Sequence, residues 1–321
     1  MTSSNAESIL VYSKYQHDLP RFSKVLSESL PDTEINYANT PEEAEQYFAD
    51  ATILYGWGFP AAWLRRIPNL RWVQKMGAGV DDLVSDWPSD RQVTLTRTDG
   101  KLIATRMAEY VLAMVLDHNL RLDRARDLQR AHTWEFFEMG ALGQLTVGIA
   151  GLGEIGSEVA KMLRGHKCNI VGWRRSKAEC EFVNELYVGI EKLGEFVSGC
   201  DVVVLVLPLT ADTKKTFDKK VFDQFKPGTH LINVGRGGVV DEDDLLIALD
   251  EGAIARASLD VFGQEPLSAD HPFWSHPKVT LTPHVCGPLI PEDVAPHFLA
   301  NVKAFRANRP LNNLVDVNRQ Y

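Results

Sequence analysis

The stretch Thr146–Gly156 constrains this chain more than any other. Thr146–Ala150 (TVGIA) reads as a β-strand, and Gly151-Leu152-Gly153-Glu154-Ile155-Gly156 turns straight from it into a helical pattern over Glu154–Arg164. Asn169–Trp173 reads as the next strand. Strand, tight turn, helix and strand in this succession make a right-handed βαβ unit. The first glycine permits the tight turn, the second lets the backbone approach a pyrophosphate, and the third lets helix and strand pack closely. The helix N-terminus adds free N–H groups and a positive dipole end, which suit phosphate. A bare glycine pattern is weak evidence, but here its full structural context is in place, so dinucleotide binding is the expectation.

The end of the second strand, Trp173-Arg174-Arg175-Ser176, points to which dinucleotide. An NAD site normally carries Asp or Glu about 20 residues past the glycines, bound to the ribose 2′-hydroxyl. Two guanidinium groups and a hydroxyl stand there instead. Arg matches phosphate in a two-pronged way, so NADP(H) is expected over NAD. The bland reading is a pair of solvated Arg residues at an exposed strand end.

The chain has 321 residues, enough for about two domains of roughly 150 residues each. Other β-rich runs are Ser8–Tyr12, Glu34–Tyr37, Ala51–Tyr55, Leu70–Lys75, Asp201–Leu207, His230–Val234, Ala257–Val261 and Val279–Thr282. Helical patterns lie between them, among them Leu19–Leu30, a start at Thr40-Pro41-Glu42-Glu43 and a last helix over Pro291–Asn308. This alternation predicts an α/β fold with parallel sheets. A long helix is predicted over Lys101–Ala131, where Met107, Tyr110, Val111, Met114 and Val115 repeat at helical spacing.

Charge and composition exclude several classes. Lys and Arg number 34 against 43 Asp and Glu, a net charge of −9. This mild acidity speaks against nucleic-acid binding, which normally shows a basic face. Apolar runs such as Val202–Leu207 are far short of the about 20 residues of a membrane span. Met1–Ser8 is Ser-rich with no basic-then-apolar pattern, so no secretory signal is expected. Cys168, Cys180, Cys200 and Cys286 lack CxxC or metal-ligand spacing, so reduced thiols and no metal are expected. A soluble, cytoplasmic small-molecule enzyme is the leading expectation.

Three residues then stand out. Arg236, in Asn233-Val234-Gly235-Arg236-Gly237-Gly238, and His284, in Leu281-Thr282-Pro283-His284, each directly follow a strand. Glu265 follows a short turn after Leu259-Asp260. Post-strand positions form the carboxyl edge of an open α/β sheet, where ligands bind. An Arg, a carboxylate and a His there suit an anionic carbonyl substrate. Singly, each has a bland reading: a turn-capping Arg, a solvated Glu, a structural His.

In this order and spacing, GLGEIG, NVGRGGVVDEDDL, LDVFGQEPL and LTPH resemble the D-2-hydroxyacid dehydrogenase family over nearly the whole chain. Met76-Gly77-Ala78-Gly79-Val80-Asp81-Asp82 is similar to that family's substrate-carboxylate loop, and Arg106–Tyr110 to the start of its crossover helix. Within the family, MGAGVDDL, MAEYVL, the Arg-for-Asp change and the Val315-Asp316 ending most resemble bacterial NADPH-using glyoxylate/hydroxypyruvate reductases.

The resemblance implies two Rossmann-like or flavodoxin-like domains with the active site in the cleft between them. The substrate domain would be 1–99 plus 288–321, and the dinucleotide domain 100–287. The long helix would bridge them and help form a homodimer. The resemblance makes His284 the proton donor, Glu265 its partner, and Arg236 the group that binds the carboxylate of a small 2-oxoacid and polarises its carbonyl. Met76, Gly77, Ala78 and Gly79 would also meet the substrate, with the N–H groups of Ala78 and Gly79 on its carboxylate. Trp57 resembles an aromatic pocket wall, with a packing Trp as the equal alternative. Gly151, Gly153, Glu154, Ile155 and Gly156 would cradle the pyrophosphate, and Arg174, Arg175 and Ser176 the 2′-phosphate. Leu207, Pro208, Thr213, Val234 and Gly235 would border the remaining cofactor, and Asp260 would orient the nicotinamide amide.

After His284, Val285-Cys286-Gly287-Pro288 departs from the small residues commoner in the family, which leaves the exact substrate open. Cys286 reads as inert packing. Competing expectations are an NAD-dependent dehydrogenase of a larger 2-oxoacid, and a dinucleotide-sensing corepressor-like scaffold. The complete Arg236, Glu265, His284 set argues against the scaffold.

Overall fold

The computed structural model describes residues 7–14, 18–84, 86–88, 90–177 and 179–317. Most of the N-terminal stretch read for a secretory signal lies outside the described residues. The chain divides into two compact units, 1–102 with 289–321, and 103–288.

The first unit is built on β1 (Ser8–Ser13), α1 (Leu19–Ser29), β2 (Glu34–Ala38), α2 (Pro41–Glu45), β3 (Ile53–Trp57), α3 (Trp63–Arg66), β4 (Trp72–Lys75), α4 (Asp81–Val84) and β5 (Thr94–Arg97). Its strands lie in the order β2-β1-β3-β4-β5, all parallel. This is the flavodoxin-like order, with its switch point between β1 and β3. Local chemistry starts the helices: Thr40 accepts the Glu43 N–H at 3.3 Å while the Glu43 carboxylate accepts the Asn39 N–H at 3.1 Å. These bonds satisfy donors a helix start would otherwise leave unpaired. The helix Pro291–Arg306 returns to this unit, where Phe298 stacks on Tyr55 at 4.1 Å between ring centres and Val294, Ala295 and Val302 join the same core.

The second unit starts within α5 (Lys101–Asn119) and includes α6 (Leu122–Arg130). It continues through β6 (Thr146–Ala150), α7 (Glu154–Gly165), β7 (Asn169–Arg174), β8 (Glu185–Val188), α8 (Leu193–Ser198) and β9 (Val202–Leu205). Then come α9 (Lys219–Phe222), β10 (His230–Asn233), α10 (Glu242–Glu251), β11 (Arg256–Leu259) and β12 (Val279–Leu281). The seven strands are parallel, ordered β12-β11-β10-β9-β6-β7-β8. Chain order reverses between β6 and β9, the switch point of a Rossmann sheet. The strands flanking it, β6 and β9, are almost wholly buried, as a parallel sheet covered on both faces requires.

The α/β class with two parallel sheets is as expected. The single helix over 101–131 is not. It ends at Asn119, Arg121 adopts a left-handed φ of 51°, and α6 follows with no buried residue. Leu122, Ala125 and Leu128 keep a helical spacing past the break, and Leu120-Arg121 holds no glycine or proline to announce it. The last helix stops at Arg306 rather than Asn308, and the β9 strand is shorter than the expected Asp201–Leu207. The strands β5 and β8 were not expected; both are four-residue edge strands with too short a pattern to stand out. Among the described residues, no helix is long and apolar enough to cross a membrane.

Candidate active site

The glycine turn sits at the switch point of the second sheet, between β6 and α7. Gly151 has φ +99°, and a Cβ there would lie 2.5 Å from the Val206 carbonyl oxygen. A Cβ on Gly156 would lie 1.9 Å from the Gly151 carbonyl oxygen. Both glycines are therefore demanded by the fold. Gly153 is different: a Cβ there would meet nothing within 4 Å. No neighbour in the fold crowds that position. Glu154 and Ile155 begin α7, whose first N–H groups have no helical partner.

Beside the turn, β7 ends at Arg174 with no acidic side chain. The Arg174 guanidinium reaches the Cys180 sulfur at 3.7 Å, and Arg175 pairs with Asp212 at 3.3 Å, both ends well exposed. That pair bridges the loops after β7 and β9. Ser176 is exposed. In the loop after β9, Leu207 is buried and Pro208 exposed. The Thr213 hydroxyl donates to the Pro208 carbonyl at 2.6 Å and accepts the Thr210 N–H at 2.8 Å, which closes that loop on itself.

Arg236 follows β10 in a turn with no slack. Val234 and Gly235 are buried, and a Cβ on Gly235 would lie 2.8 Å from both the N and O of Leu207. Asn233 accepts the Gly235 N–H and donates to the Arg236 carbonyl, each at 3.1 Å. The Arg236 guanidinium donates to the Gly235 carbonyl at 2.8 Å. A Cβ on Gly237 would lie 1.9 Å from the Phe262 carbonyl carbon, so this turn rests directly on the one carrying Glu265.

The His284 Nδ1 and a Glu265 carboxylate oxygen lie 2.7 Å apart, each side chain about one third exposed at 32%. The other Glu265 oxygen accepts the Phe262 N–H at 3.0 Å. Burial pushes the Glu265 carboxyl up, but its bond to His284, that ring's charge and the Arg236 charge outweigh it and hold the group below the usual carboxylate range. His284 itself has a left-handed φ of 54°.

A buried carboxylate underlies that conformation. Asp260, 0% exposed, accepts the Thr282 hydroxyl at 2.5 Å and the N–H groups of Val285 and Cys286 at 3.0 and 3.1 Å. Its carbonyl accepts the His284 N–H at 2.8 Å, and the Tyr110 hydroxyl meets Thr282 at 2.8 Å. The Asp260 carboxylate is thus committed to shaping the 282–286 loop, a part the expected nicotinamide contact did not include. Cys286 is buried and its thiol is pushed far up by that burial, so it is no thiolate. Among the described residues, all four cysteines are free.

In the first unit, Trp57 closes β3 and its indole lies on Gly77, where a Cβ would come within 2.2 Å of the ring. Lys75, its side chain only 2% exposed, places Nζ 5.3 Å from the Trp57 ring centre and 5.5 Å from that of Phe59, and pairs with Asp82. Met76 is buried and donates its N–H to the Gly56 carbonyl at 3.0 Å. The carbonyls of Gly77 and Ala78 accept from the Thr98 N–H at 3.1 Å and the Arg97 guanidinium at 3.0 Å.

Sequence reasoning missed Lys75, Arg97, Tyr110 and Thr282. It also missed Glu242, which accepts the Gly263 N–H at 2.8 Å beneath the Glu265 turn. None sits in a glycine motif. The one available signal was that Lys75 is a charge at the end of an expected strand.

A seven-stranded sheet of this order, with a glycine turn at its switch point, defines a doubly wound dinucleotide-binding protein. Residues 112–286 match the family D-isomer specific 2-hydroxyacid dehydrogenase, NAD binding domain. The chain is 34% identical over 273 residues to glyoxylate/hydroxypyruvate reductase A of Yersinia enterocolitica, covering 83% of this chain and 86% of that one. It is 35% identical over 266 residues to the protein of the same name from Serratia proteamaculans, covering 81% and 85%. This chain therefore belongs to the D-isomer-specific 2-hydroxyacid dehydrogenase family. Among solved structures it resembles an NADPH-dependent glyoxylate/hydroxypyruvate reductase of Sinorhizobium meliloti in complex with NADP and sulfate, with a TM-score of 0.89 and 31% identity over 98% of this chain and all of that one. A D-isomer specific 2-hydroxyacid dehydrogenase of Xanthobacter autotrophicus in complex with NADPH and MES gives a TM-score of 0.88 and 33% identity, with the same coverage.

Proposed function

We propose that this chain is an NADPH-dependent reductase of small 2-oxoacids, glyoxylate, hydroxypyruvate or a similar acid, yielding the D-2-hydroxyacid. The observation that carries the reading is the His284–Glu265 contact of 2.7 Å in the unit that also bears Arg236 and the Gly151–Gly156 turn. NADPH, when bound, supplies the hydride. His284, with Nδ1 turned to Glu265, presents Nε2 as the proton donor for the carbonyl oxygen. Glu265 keeps the ring oriented through that contact. Arg236 offers its guanidinium to the substrate carboxylate and to the charge growing on the carbonyl oxygen.

On the cofactor side, Gly151, Gly153, Glu154, Ile155 and Gly156 face the pyrophosphate, and Arg174, Arg175 and Ser176 the 2′-phosphate. Leu207, Pro208, Thr213, Val234 and Gly235 border the rest. In the first unit, Met76–Gly79 and Trp57 are the groups assigned to the substrate. The absence of an acid at the end of β7 favours NADPH over NADH, and the Sinorhizobium meliloti and Xanthobacter autotrophicus proteins are named with NADPH or NADP. The test is initial rates with NADPH and NADH over 2-oxoacids of increasing side-chain size. High kcat/KM for NADPH with glyoxylate or hydroxypyruvate is expected. No turnover of any 2-oxoacid would favour the scaffold reading instead.

The family's dimeric habit is proposed for this chain on a separate observation. Trp134 is 102% exposed, Phe136 87% and Met139 54%, in the irregular segment that follows α6, itself without a buried residue. Large apolar side chains contiguous on a surface mark an interface, and a second copy of this chain is the occupant. A mass of one chain by light scattering would overturn it; Trp134→Ser with Phe136→Ser should halve the mass of a dimer. Four free thiols suit the reducing cytoplasm as the compartment.

A further inference from the structure

The loop after β4 carries a feature the glycine pattern did not announce. Both of its central carbonyls point the same way, toward β5 and the residue after it. Gly77 O is held by the Thr98 N–H at 3.1 Å and Ala78 O by the Arg97 guanidinium at 3.0 Å. A trans peptide is planar, with its N–H antiparallel to its C=O. The Ala78 N–H shares a plane with the Gly77 carbonyl, and the Gly79 N–H with the Ala78 carbonyl. Pinning both carbonyls toward Arg97 and Thr98 therefore turns both N–H groups to the opposite side. Two successive N–H groups on one side form a concavity for an anion.

The clamp is itself fixed. The Arg97 N–H donates to the Asn313 carbonyl at 3.1 Å, and the Val315 N–H to the Leu95 carbonyl at 3.0 Å, so the C-terminal segment holds the outer edge of β5. Thr98 also donates its hydroxyl to the Lys75 carbonyl at 3.3 Å. On the other flank the Trp57 ring occupies the space a Gly77 side chain would need. The loop is held from two directions before any ligand arrives, which removes ordering cost from binding.

We infer that Arg97 is a positioning residue for the substrate carboxylate: it holds the Ala78 carbonyl so that the Gly79 N–H faces the anion, and it sets a fixed positive charge behind the loop. This rests on the proposed 2-oxoacid reading, since the anion is that acid's carboxylate. Arg97 does not touch the reacting carbonyl, so its loss weakens binding and leaves the chemical step alone.

The test uses the NADPH-loaded protein and its Arg97→Met and Arg97→Lys variants. Two quantities are read: KM and kcat for glyoxylate, and calorimetric affinity for oxalate, a carboxylate that cannot turn over. Arg97→Met should raise KM and weaken oxalate about tenfold or more, the loss of a charged hydrogen bond. Its kcat at saturation and its NADPH affinity should stay near those of the unaltered protein. Arg97→Lys, with charge but no fork, should fall between, and it replaces Arg97→Met if that variant does not fold. Unchanged KM and oxalate affinity in the folded variant would overturn the inference. So would a fall in kcat and NADPH affinity in step with a lowered Tm, the mark of a merely structural residue. If the unaltered protein reduces no 2-oxoacid, the functional reading fails, while the oxalate arm still decides Arg97.

Discussion

The Thr282 hydroxyl donates to the Asp260 carboxylate at 2.5 Å, in a site where Asp260 is 0% exposed. The same carboxylate takes the N–H groups of Val285 and Cys286, so the loop that bears His284 is wrapped around one buried charge. An unpartnered carboxylate would be costly there, but one with three donors is stable and stiff. The left-handed backbone of His284 is over-determined by these bonds.

Asp260→Asn should therefore loosen the loop. The amide keeps one acceptor and turns a donor toward peptide N–H groups, leaving at least one of them unpaired. Such a loss costs about 1–3 kcal/mol, read as a lower urea midpoint. The kcat should fall as well, because His284 loses its fixed place. An unchanged kcat and urea midpoint would show the loop to be held by other contacts.

His284→Ala should lower kcat by about two to four decades, the range for losing a general acid. NADPH affinity, measured by fluorescence titration, should change little, because the phosphates are assigned to the Gly151–Gly156 turn. Glu265→Gln should lower kcat by less, because the ring keeps its place in the chain but loses the carboxylate that orients it. An unchanged kcat would mean that other contacts place the ring.

Glu265 also makes an acid-stability prediction. Its carboxyl is held below the usual range in the folded protein, by the His284 bond and charge against the opposing push of burial. A depressed folded value contributes stability above the unfolded value of about 4.3 and loses it as pH falls through the folded one. Urea titrations from pH 6 downward should show a smaller acid loss for Glu265→Gln than for the unaltered protein. Parallel curves would remove the pair from the acid-stability account.

Changing Arg174 and Arg175 to Ala should cost NADPH about 1–3 kcal/mol, or roughly one to two decades of affinity, and leave NADH little altered. Asp212→Ala should keep or sharpen the preference, because Arg175 would no longer share its charge with that carboxylate. Equal kcat/KM for both cofactors in the unaltered enzyme would end this reading.

Arg236→Lys should raise KM and lower kcat together. A lysine keeps charge but loses the fork that meets a carboxylate and a carbonyl oxygen at once. The check is kcat/KM on glyoxylate, and a near-normal value would contradict the role.

What could be read without the structure was whatever depends on short spans of chain. Gly156 announces a strand–turn–helix because its steric demand lies five residues back, on the Gly151 carbonyl, whereas the demand at Gly151 comes from Val206, 55 residues on, and shows only in the structure. The missing acid after β7 is equally local. The single helix over 101–131 was misread because the break falls at Leu120-Arg121, where the backbone turns left-handed with no glycine or proline to announce it. The four-residue edge strands β5 and β8 were invisible for a related reason: their identity comes from neighbours that supply hydrogen bonds, not from their own composition.

The sequence by itself determined the class of fold, the dinucleotide turn and the candidates Arg236, Glu265 and His284, since each rests on residue type and position after a strand. Only the tertiary structure decided how these groups are held. Asp260 reaches residues 22 to 26 positions away, Tyr110 reaches Thr282 across 172, and Arg97 grips Ala78 across 19. Such bonds are set by which strand ends the sheet brings side by side. A hydrogen bond needs its partners within about 3 Å, and sequence spacing says nothing of that distance until the sheet order is known.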